Sequence, residues 1–372
     1  MPRLFIGCIS GTSIDGLDIA LVDVETKPTI TASTTVLFPE ILERDLRQLL
    51  RPGPNEIFQL GLTNAQLGEF IGTAILGFLK DNDLDAGDIT AIGSHGQTVR
   101  HHPNADPGFS LQIGSGSHIA EITGIDTISD FRSRDLASGG EGAPLVPSFH
   151  RMLFHPYEHD QVILNIGGIA NITILYSNDQ QPYFGFDTGP GNALLDAWIQ
   201  DSKHTRYDPN GDWSASGRVS MKFLEKLLDD SYFSLEPPKS TGKENFNLDY
   251  IKRNLDDLPK MKPADVQSTL CEFTAITAAK AIERWGPDSA RVVVCGGGRL
   301  NSDLMQRLHT HLDAQQVIRS EEINVDGDSL EAGAFAWLAR CFVDRMPGNV
   351  PSVTGAKGER VLGCLYPSGA NT

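Results

Sequence analysis

Two stretches of this 372-residue chain follow one plan, and no other feature restricts its folding as strongly. The first runs from Gly7 to Asp23 (GCISGTSIDGLDIALVD), the second from Val162 to Tyr176 (VILNIGGIANITILY). In each, an apolar run enters a turn rich in Gly, Ser, Thr or Asn and a second apolar run leaves it. This is the pattern of two antiparallel strands joined by a tight loop. One such hairpin is an ordinary part of a β-rich core. One in each half of the chain points to a duplicated unit.

Small residues also give the loops a chemistry. Gly11, Gly16, Gly167 and Gly168 remove Cβ atoms where the backbone turns, so main-chain N–H groups can approach a ligand, and Ser10, Thr12 and Ser13 add hydroxyl donors. Polyphosphate suits such loops. Neither is followed by Gly-Lys-Ser/Thr, and neither is a GxGxxG opening a helix, so the P-loop and dinucleotide folds are set aside. A strand-loop-strand phosphate grip used twice points to the duplicated actin-like architecture of sugar kinases and heat-shock ATPases.

The length suffices for two domains with full cores. Hydrophobic residues make up 40% and charged residues 21%, a globular profile. With 31 basic and 48 acidic side chains the formal charge is −17, so nucleic acid and anionic lipid are not expected partners and any anionic substrate must be caught by local donors. No run approaches the roughly 18 apolar residues of a membrane span, and the N-terminus leads straight into a strand, so a cytoplasmic location is expected. Cys8, Cys271, Cys295, Cys341 and Cys364 form no CxxC pair and read as reduced, structural thiols.

After the first hairpin a third strand is expected over Thr29 to Leu37, then helices over Ile41 to Leu50 and Ile57 to Lys80. A strand over Ala91 to Val99, the segment FSLQIG, a helix from near Gly116 and a strand over Ile125 to Phe131 complete the first half. The second half repeats the order: hairpin, the strand of FGFDTGPGN, a helix from about Asn192, a long helix from Val266 to Trp285, the strand and Gly-rich turn of VVVCGGGRLN, and a helix over Asp328 to Val343. Between them the polar stretch His204 to Asn247 is broken by Pro237, Pro238 and several glycines, and the tail from Pro347 reads as irregular. The expected fold class is α/β, a duplicated actin-like (ribonuclease H-like) ATPase fold of two α/β domains enclosing a nucleotide and sugar cleft. The expected domains are 1–128, with the tail 347–372 against it, and 129–346.

The motifs GCISGTSIDGLDIALVD, GSHGQTVRHHP, DFRSRDLASGGEGAPLVP, LNIGGIANIT, GFDTGPGNALLDAW, VVVCGGGRLN, EAGAFAWLA and NVPSVTGA are spread in order over nearly the whole chain. In these segments the sequence resembles the anhydro-N-acetylmuramic acid kinases, enzymes of bacterial cell-wall recycling with the actin-like sugar kinase fold. The resemblance implies ATP with Mg²⁺ as the phosphoryl donor, and 1,6-anhydro-N-acetylmuramic acid and water as the other reactants. The implied products are N-acetylmuramic acid 6-phosphate and ADP. A homodimer is compatible with it.

Asp187 ends a strand just before a Gly-Pro-Gly turn and a helix start, at the edge where α/β proteins bind ligands. By its position alone it could equally be a cap or turn former. The resemblance makes it the general base that activates water against the anomeric carbon. A water of pKa near 15.7 needs such a base as the C1–O6 bond breaks. The departing O6 meets a phosphoryl group, so no second acid is required.

The resemblance places ATP on Gly11, Thr12, Ser13, Ile14, Asp15, Gly16, Leu17 and Asp18, on Asn165, Gly167, Gly168 and Asn171, and on Gly296, Gly297 and Gly298. Asp15 reads as a metal-shell or substrate-facing carboxylate, and Asp18 equally as a structural turn acid. Arg132, just past a strand end, can fork onto the lactyl carboxylate of the sugar or form an ion pair with Asp130 or Asp135. Gln97 and Thr98 are read as sugar contacts, and Glu331 as a cleft residue or an ordinary helix acid. His95, His101 and His102 fit no zinc spacing, and no protein-held metal is expected. Two other readings of the architecture are a plain ATPase, which leaves FDTGPGN and DFRSRDLASGGEGAP unexplained, and a sugar-sensing repressor, which needs an N-terminal DNA-binding segment.

Overall fold

The computed structural model describes residues 2–11, 14, 16–154, 159–178, 183–287 and 291–369. It divides into two compact units, Met1–His155 with Ser329–Thr372, and Pro156–Asp328.

In the first unit the strands are β1 (Leu4–Ser10), β2 (Gly16–Asp23), β3 (Thr29–Leu37), β4 (Ile89–Ser94), the ribbon pair β5 (Gln97–His102) and β6 (Phe109–Ile113), and β7 (Thr127–Ser129). In the second they are β8 (Gln161–Ile166), β9 (Ile169–Leu175), β10 (Phe184–Pro190), β11 (Arg291–Cys295) and β12 (Gln316–Arg319); β13 (Cys364–Tyr366) lies in the returning tail of the first. The two main sheets run β13-β7-β4-β1-β2-β3 and β10-β9-β8-β11-β12. In each, the hairpin strands and the third strand are antiparallel neighbours, while the first strand pairs in parallel with the fourth and the fourth with the fifth. With β13 set aside at the edge of the first sheet and the strands of each sheet numbered in chain order, both have the order 3-2-1-4-5, the ribonuclease H-like order of the actin-like fold.

The sequence explains this arrangement locally. β1 and β8 are buried along their whole length, as central strands covered on both faces are, and they read as continuous apolar runs. In the second unit Val162, Leu164, Ile172, Ile174 and Phe186 pack on Leu270 and Phe273 of the helix Pro263–Trp285. In the first, Ile6, Ile19 and Ile92 pack with Leu67, Ile71 and Ile75 of the helix Glu56–Asp81.

Three expectations differ from the structure. The boundary at 128/129 cuts β7, and the helix Leu330–Val343 belongs to the first unit. That helix is apolar nearly all round and seats its backbone on two strand glycines. A Cβ at Gly7 would come 1.9 Å from the Ala332 carbonyl oxygen, and one at Gly93 2.0 Å from that of Phe335. The strand expected over 91–99 is broken after Ser94, where Gly96 takes φ +69° and any Cβ would meet the Ile113 carbonyl oxygen at 2.1 Å. The tail read as irregular contains a helical turn, Pro351–Thr354, and β13, which pairs antiparallel with β7.

Candidate active site

The second unit gathers Asp187, the hairpin loop and the Gly296–Gly298 turn close together. Asp187 sits on β10 immediately before a register shift against β9 that leaves Thr188 as the extra residue, a bulge that redirects the strand. A further segment fastens Asp187 from outside the sheet. The Thr241 N–H donates to Asp187 Oδ2 at 3.0 Å, the Asp187 N–H donates to the Lys239 carbonyl at 3.3 Å, and the Tyr232 hydroxyl donates to the Asp187 carbonyl at 2.5 Å. The polar stretch between His204 and Asn247 thus carries the support of the carboxylate. Lys239 donates to the Tyr232 carbonyl at 3.2 Å and lies 4.6 Å from the centre of the Tyr232 ring; burial pushes its ammonium below the usual lysine range, and Arg284 adds repulsion.

Beyond the bulge, the turn at Gly189–Asn192 packs on the hairpin loop. The N–H groups of Gly191 and Ala193 donate to the Gly168 carbonyl at 2.9 and 3.0 Å, and that of Asn192 to the Gly167 carbonyl at 2.8 Å. The first N–H groups of the helix Ala193–Lys203 are therefore spent on the loop. Each trans peptide holds its N–H opposite its C=O, so the N–H groups of Gly168 and Ile169 point away from the helix. Only glycine fits at 191, where a Cβ would lie 2.4 Å from the Gly167 carbonyl oxygen.

The Gly296–Gly298 turn closes on the same loop. A Cβ at Gly298 would stand 2.3 Å from Ile166 Cγ2, and one at Gly296 2.4 Å from Asn165 Oδ1. The exposed Gly297 has no neighbour for a Cβ nearer than Asn192 Nδ2 at 4.0 Å, so its backbone presents an open face. Arg299, 3% exposed, pins the turn: its Nη1 donates to the Gly296 carbonyl at 3.0 Å and its two Nη atoms grip the Asp328 carboxylate at 2.6 and 2.8 Å.

In the first unit a second cluster forms around the β4–β5 break. The Gly96 carbonyl accepts from the Ser10 N–H at 3.2 Å and lies 2.9 Å from His95 Nδ1, which ties the end of the first hairpin to this turn. Gln97 is buried, its Oε1 accepting from the Ser10 hydroxyl at 2.5 Å and its Nε2 donating to the Thr98 carbonyl at 3.0 Å. The Thr98 hydroxyl accepts from Gln112 Nε2 at 3.0 Å. Arg132 Nε donates to His95 Nε2 at 3.1 Å and its Nη1 to the Gly142 carbonyl at 2.7 Å. Burial and the Arg132 charge hold His95 well below the ordinary histidine range, so it is neutral.

The anhydro-N-acetylmuramic acid kinase family model matches residues 3–368. The chain belongs to the anhydro-N-acetylmuramic acid kinase family. It is 44% identical over 368 residues to the anhydro-N-acetylmuramic acid kinase of Pseudomonas savastanoi pv. phaseolicola, covering 99% of this chain and 100% of that protein. It is 46% identical over 367 residues to that of Coxiella burnetii, covering 98% of each. Among solved structures, the activator of 2-hydroxyisocaproyl-CoA dehydratase from Clostridium difficile with bound ADPNP matches with a TM-score of 0.47 at 13% identity, covering 92% of this chain and 96% of that one.

The molecule is therefore a kinase, and the described residues hold no helix long and apolar enough to cross a membrane. Its second unit brings Asn165, Gly167, Gly168, Gly296, Gly297 and Gly298 together, with Asn171 on β9 paired to both Asn165 and Asp187. Its first unit holds Gly11, whose carbonyl accepts from the N–H of the buried Ile14 at 3.2 Å, and Ile14 itself takes φ +54°. Gly16 and the buried Leu17 open β2, and Asp18 Oδ1 accepts from the Thr35 hydroxyl at 2.6 Å. Thr12, Ser13 and Asp15 lie outside the described residues. Glu331 stands in the first turn of the helix Leu330–Val343. Among the described residues no group of three His, Cys, Asp or Glu side chains is placed to hold a metal ion. His101 Nδ1 lies 2.9 Å from the Ser110 hydroxyl oxygen, and the His102 ring lies 5.2 Å from that of Phe109, tilted by 53°.

Sequence reasoning missed Tyr232, Lys239 and Thr241, which support Asp187, and Arg299, which supports the glycine turn. The signals were faint: PPKSTGK lies in a stretch read as broken and polar, and nothing in CGGGRLN marks its arginine as buried.

Proposed function

We propose that this kinase opens 1,6-anhydro-N-acetylmuramic acid by adding water at the anomeric carbon and phosphorylates the freed O6, giving N-acetylmuramic acid 6-phosphate and ADP, in the cytoplasm. Bound ATP with Mg²⁺ supplies the γ-phosphoryl group. Membership of the family over the whole chain supports the substrate, and the support of Asp187 by the Thr241 amide supports the chemistry.

Asp187 is the proposed base. Its carboxylate takes a proton from water as the oxygen attacks, and the fixed Oδ2 and anchored main chain keep the carboxylate from swinging during the transfer. The donor set suits a nucleotide: the hairpin loop turns the N–H groups of Gly168 and Ile169 away from the helix start, and Gly297 offers a bare backbone face of the kind a flat base can lie on. Mg²⁺ would be held mainly through phosphate oxygens and water. Asn165, Asn171, Gly11, Ile14, Gly16, Leu17 and Asp18 frame the two loops. Arg132 receives the lactyl carboxylate, Thr98 and Glu331 face the sugar, and Gln97 acts through its hold on Ser10.

The test is ADP release by the purified protein, with the anhydro sugar present or absent, run in ¹⁸O-water. The expected result is sugar-dependent turnover with one ¹⁸O at C1 of the product. Equal ATP turnover without sugar refutes the proposal, and label missing from C1 refutes the hydrolytic step.

A further inference from the structure

The second unit carries a cavity of about 380 Å³ that no step above uses, near the lower end of the range of about 300–1,000 Å³ in which small-molecule sites fall. It lies between β10, the last turns of the helix Pro263–Trp285 and the stretch from Leu228 to Lys239. Phe186, one residue before Asp187, forms part of its wall and packs with Leu270 and Phe273 of that helix. Successive side chains of a strand point to opposite faces, so the cavity is on the helix face of β10 and the Asp187 carboxylate is on the other.

Three cations meet there: Lys239, Lys280 and Arg284. Lys280 and Arg284 stand one turn apart on the same helix face, a spacing at which like charges repel, and Arg284 also repels Lys239. Glu236 pairs with Arg284 and attracts Lys239, whereas Lys280 meets no carboxylate within ion-pair distance among the described residues. An anion relieves this repulsion, and a phosphate monoester, with a charge of about −1.5 to −2 at pH 7, answers two ammonium groups where a carboxylate answers one. The remaining wall describes what carries the phosphate. Phe186, Phe233 and Trp285 offer apolar ring surface, and Thr188, Ser234 and Thr277 add hydroxyl groups. The Thr188 hydroxyl donates to the Ala170 carbonyl at 3.2 Å and that of Thr277 to the Phe273 carbonyl at 2.9 Å, so both oxygens keep lone pairs for the hydroxyl groups of a ligand. A ring with one apolar side, several hydroxyl groups and a phosphate is a sugar phosphate.

We propose that this cavity is a second ligand site, that it takes a sugar phosphate monoester, and that the bound ligand clamps the segment Tyr232–Thr241 to the helix Pro263–Trp285. Lys239 belongs to the segment, and Lys280 and Arg284 to the helix, so one phosphate bridges the two. The same segment holds Asp187 through the Tyr232 hydroxyl, the Lys239 carbonyl and the Thr241 N–H. Occupancy of the cavity is therefore felt at the Thr241 amide, whether or not Asp187 is the base.

Calorimetry with glucose 6-phosphate, glucose and inorganic phosphate as probes, without ATP or anhydro sugar, tests it. Glucose 6-phosphate is expected to bind with a Kd of about 0.3 mM, the strength of a ligand of its size, and each of the other two about tenfold or more weakly. Lys280→Glu should weaken glucose 6-phosphate by about 10- to 150-fold, the range of a charge-assisted hydrogen bond. Ala281→Trp, which fills the cavity, should abolish its binding. Both variants should bind ADP within about twofold of wild type, which locates the loss at this cavity and not at the nucleotide site. Hydrogen exchange at the Thr241 amide should slow by about threefold or more when wild type is held in about 3 mM glucose 6-phosphate, and stay unchanged in Lys280→Glu. A wild type that does not bind at about 10 mM, inorganic phosphate bound as tightly as the sugar phosphate, or a Lys280→Glu protein of undiminished affinity overturns the site. Binding that leaves Thr241 exchange unmoved overturns the clamp. None of these readouts uses the kinase reaction, so the proposed chemistry stands or falls separately.

Discussion

Replacing Asp187 by Asn separates the chemistry of the site from its architecture. The asparagine side chain has the same shape, and its Oδ1 can take the place of the oxygen that accepts from the Thr241 N–H at 3.0 Å. The main-chain links to Lys239 and Tyr232 do not involve the side chain at all. What the fold loses is the extra strength of a charged acceptor over a neutral one, about 1 kcal/mol. For a unit of this size that is a fall in Tm of about 2–4 °C. The reaction loses its base, a loss of about 10²- to 10⁴-fold in kcat, or roughly 3–5 kcal/mol of barrier at 1.36 kcal/mol per decade. Asp187→Ala should be equally slow but less stable, because the Thr241 N–H is left without its acceptor at a cost of about 1–3 kcal/mol. The assay is coupled ADP release at saturating sugar, with ATP varied, beside thermal unfolding of the same samples. The KM for ATP should stay within about twofold, since the base does not hold nucleotide. An Asn variant that keeps more than about a tenth of the wild-type kcat would show that this carboxylate does not activate the water.

Four further outcomes follow from the packing and the charges. Arg299→Met should raise the KM for ATP several-fold and leave that for the sugar unchanged, because it releases the Gly296 carbonyl; steady-state kinetics with each substrate varied decides it. Gly93→Ala should destabilise the first unit by about 3 kcal/mol or more, seen in denaturant unfolding, because its Cβ would meet the Phe335 carbonyl oxygen at 2.0 Å. Buried His150 is held at a pKa of about 3, below its unfolded value near 6.5, so the unfolded chain binds the proton first and stability falls as pH drops through that window. Between pH 6.5 and 5 this one group removes about 1.6 kcal/mol, and in His150→Leu the fall measured by chemical denaturation should be shallower by that amount. Four of the five cysteines are buried and Cys364 is exposed, so a thiol reagent should titrate one group in the native protein and five after unfolding.

The hairpins, their third strands and the long helices were legible because each carries its period locally: alternating or continuous apolar residues in strands, and a sided pattern in helices. The strand that carries Asp187 was legible for the same reason, since an apolar run ending in Gly-Pro-Gly has few ways to continue. What was hidden depends on partners distant in the chain. The break at His95–Gly96 arises from contact with Ile113, and nothing in GSHGQTV announces it. Thr241 reaches Asp187 across 54 residues. The return of Leu330–Val343 to the first unit was written in its all-round apolar, Ala- and Gly-rich face, a sign of a helix buried on every side, but not in any residue at the join. Arg132 was read as forking onto an acid, either the lactyl carboxylate or Asp130 or Asp135. Its hold by a histidine could not be inferred, because a neutral imidazole and a surface histidine look alike in sequence.

The seating of Leu330–Val343 on Gly7 and Gly93 has a consequence for how the chain is born. A ribosome releases these N-terminal strands first and their covering helix more than two hundred residues later. The second unit, continuous in the chain, can close upon itself during that interval, while the oldest strands wait with a bare glycine face. The earliest part of the polypeptide to be made is thus among the last to be finished, and its maturation is timed by synthesis of the C-terminal segment.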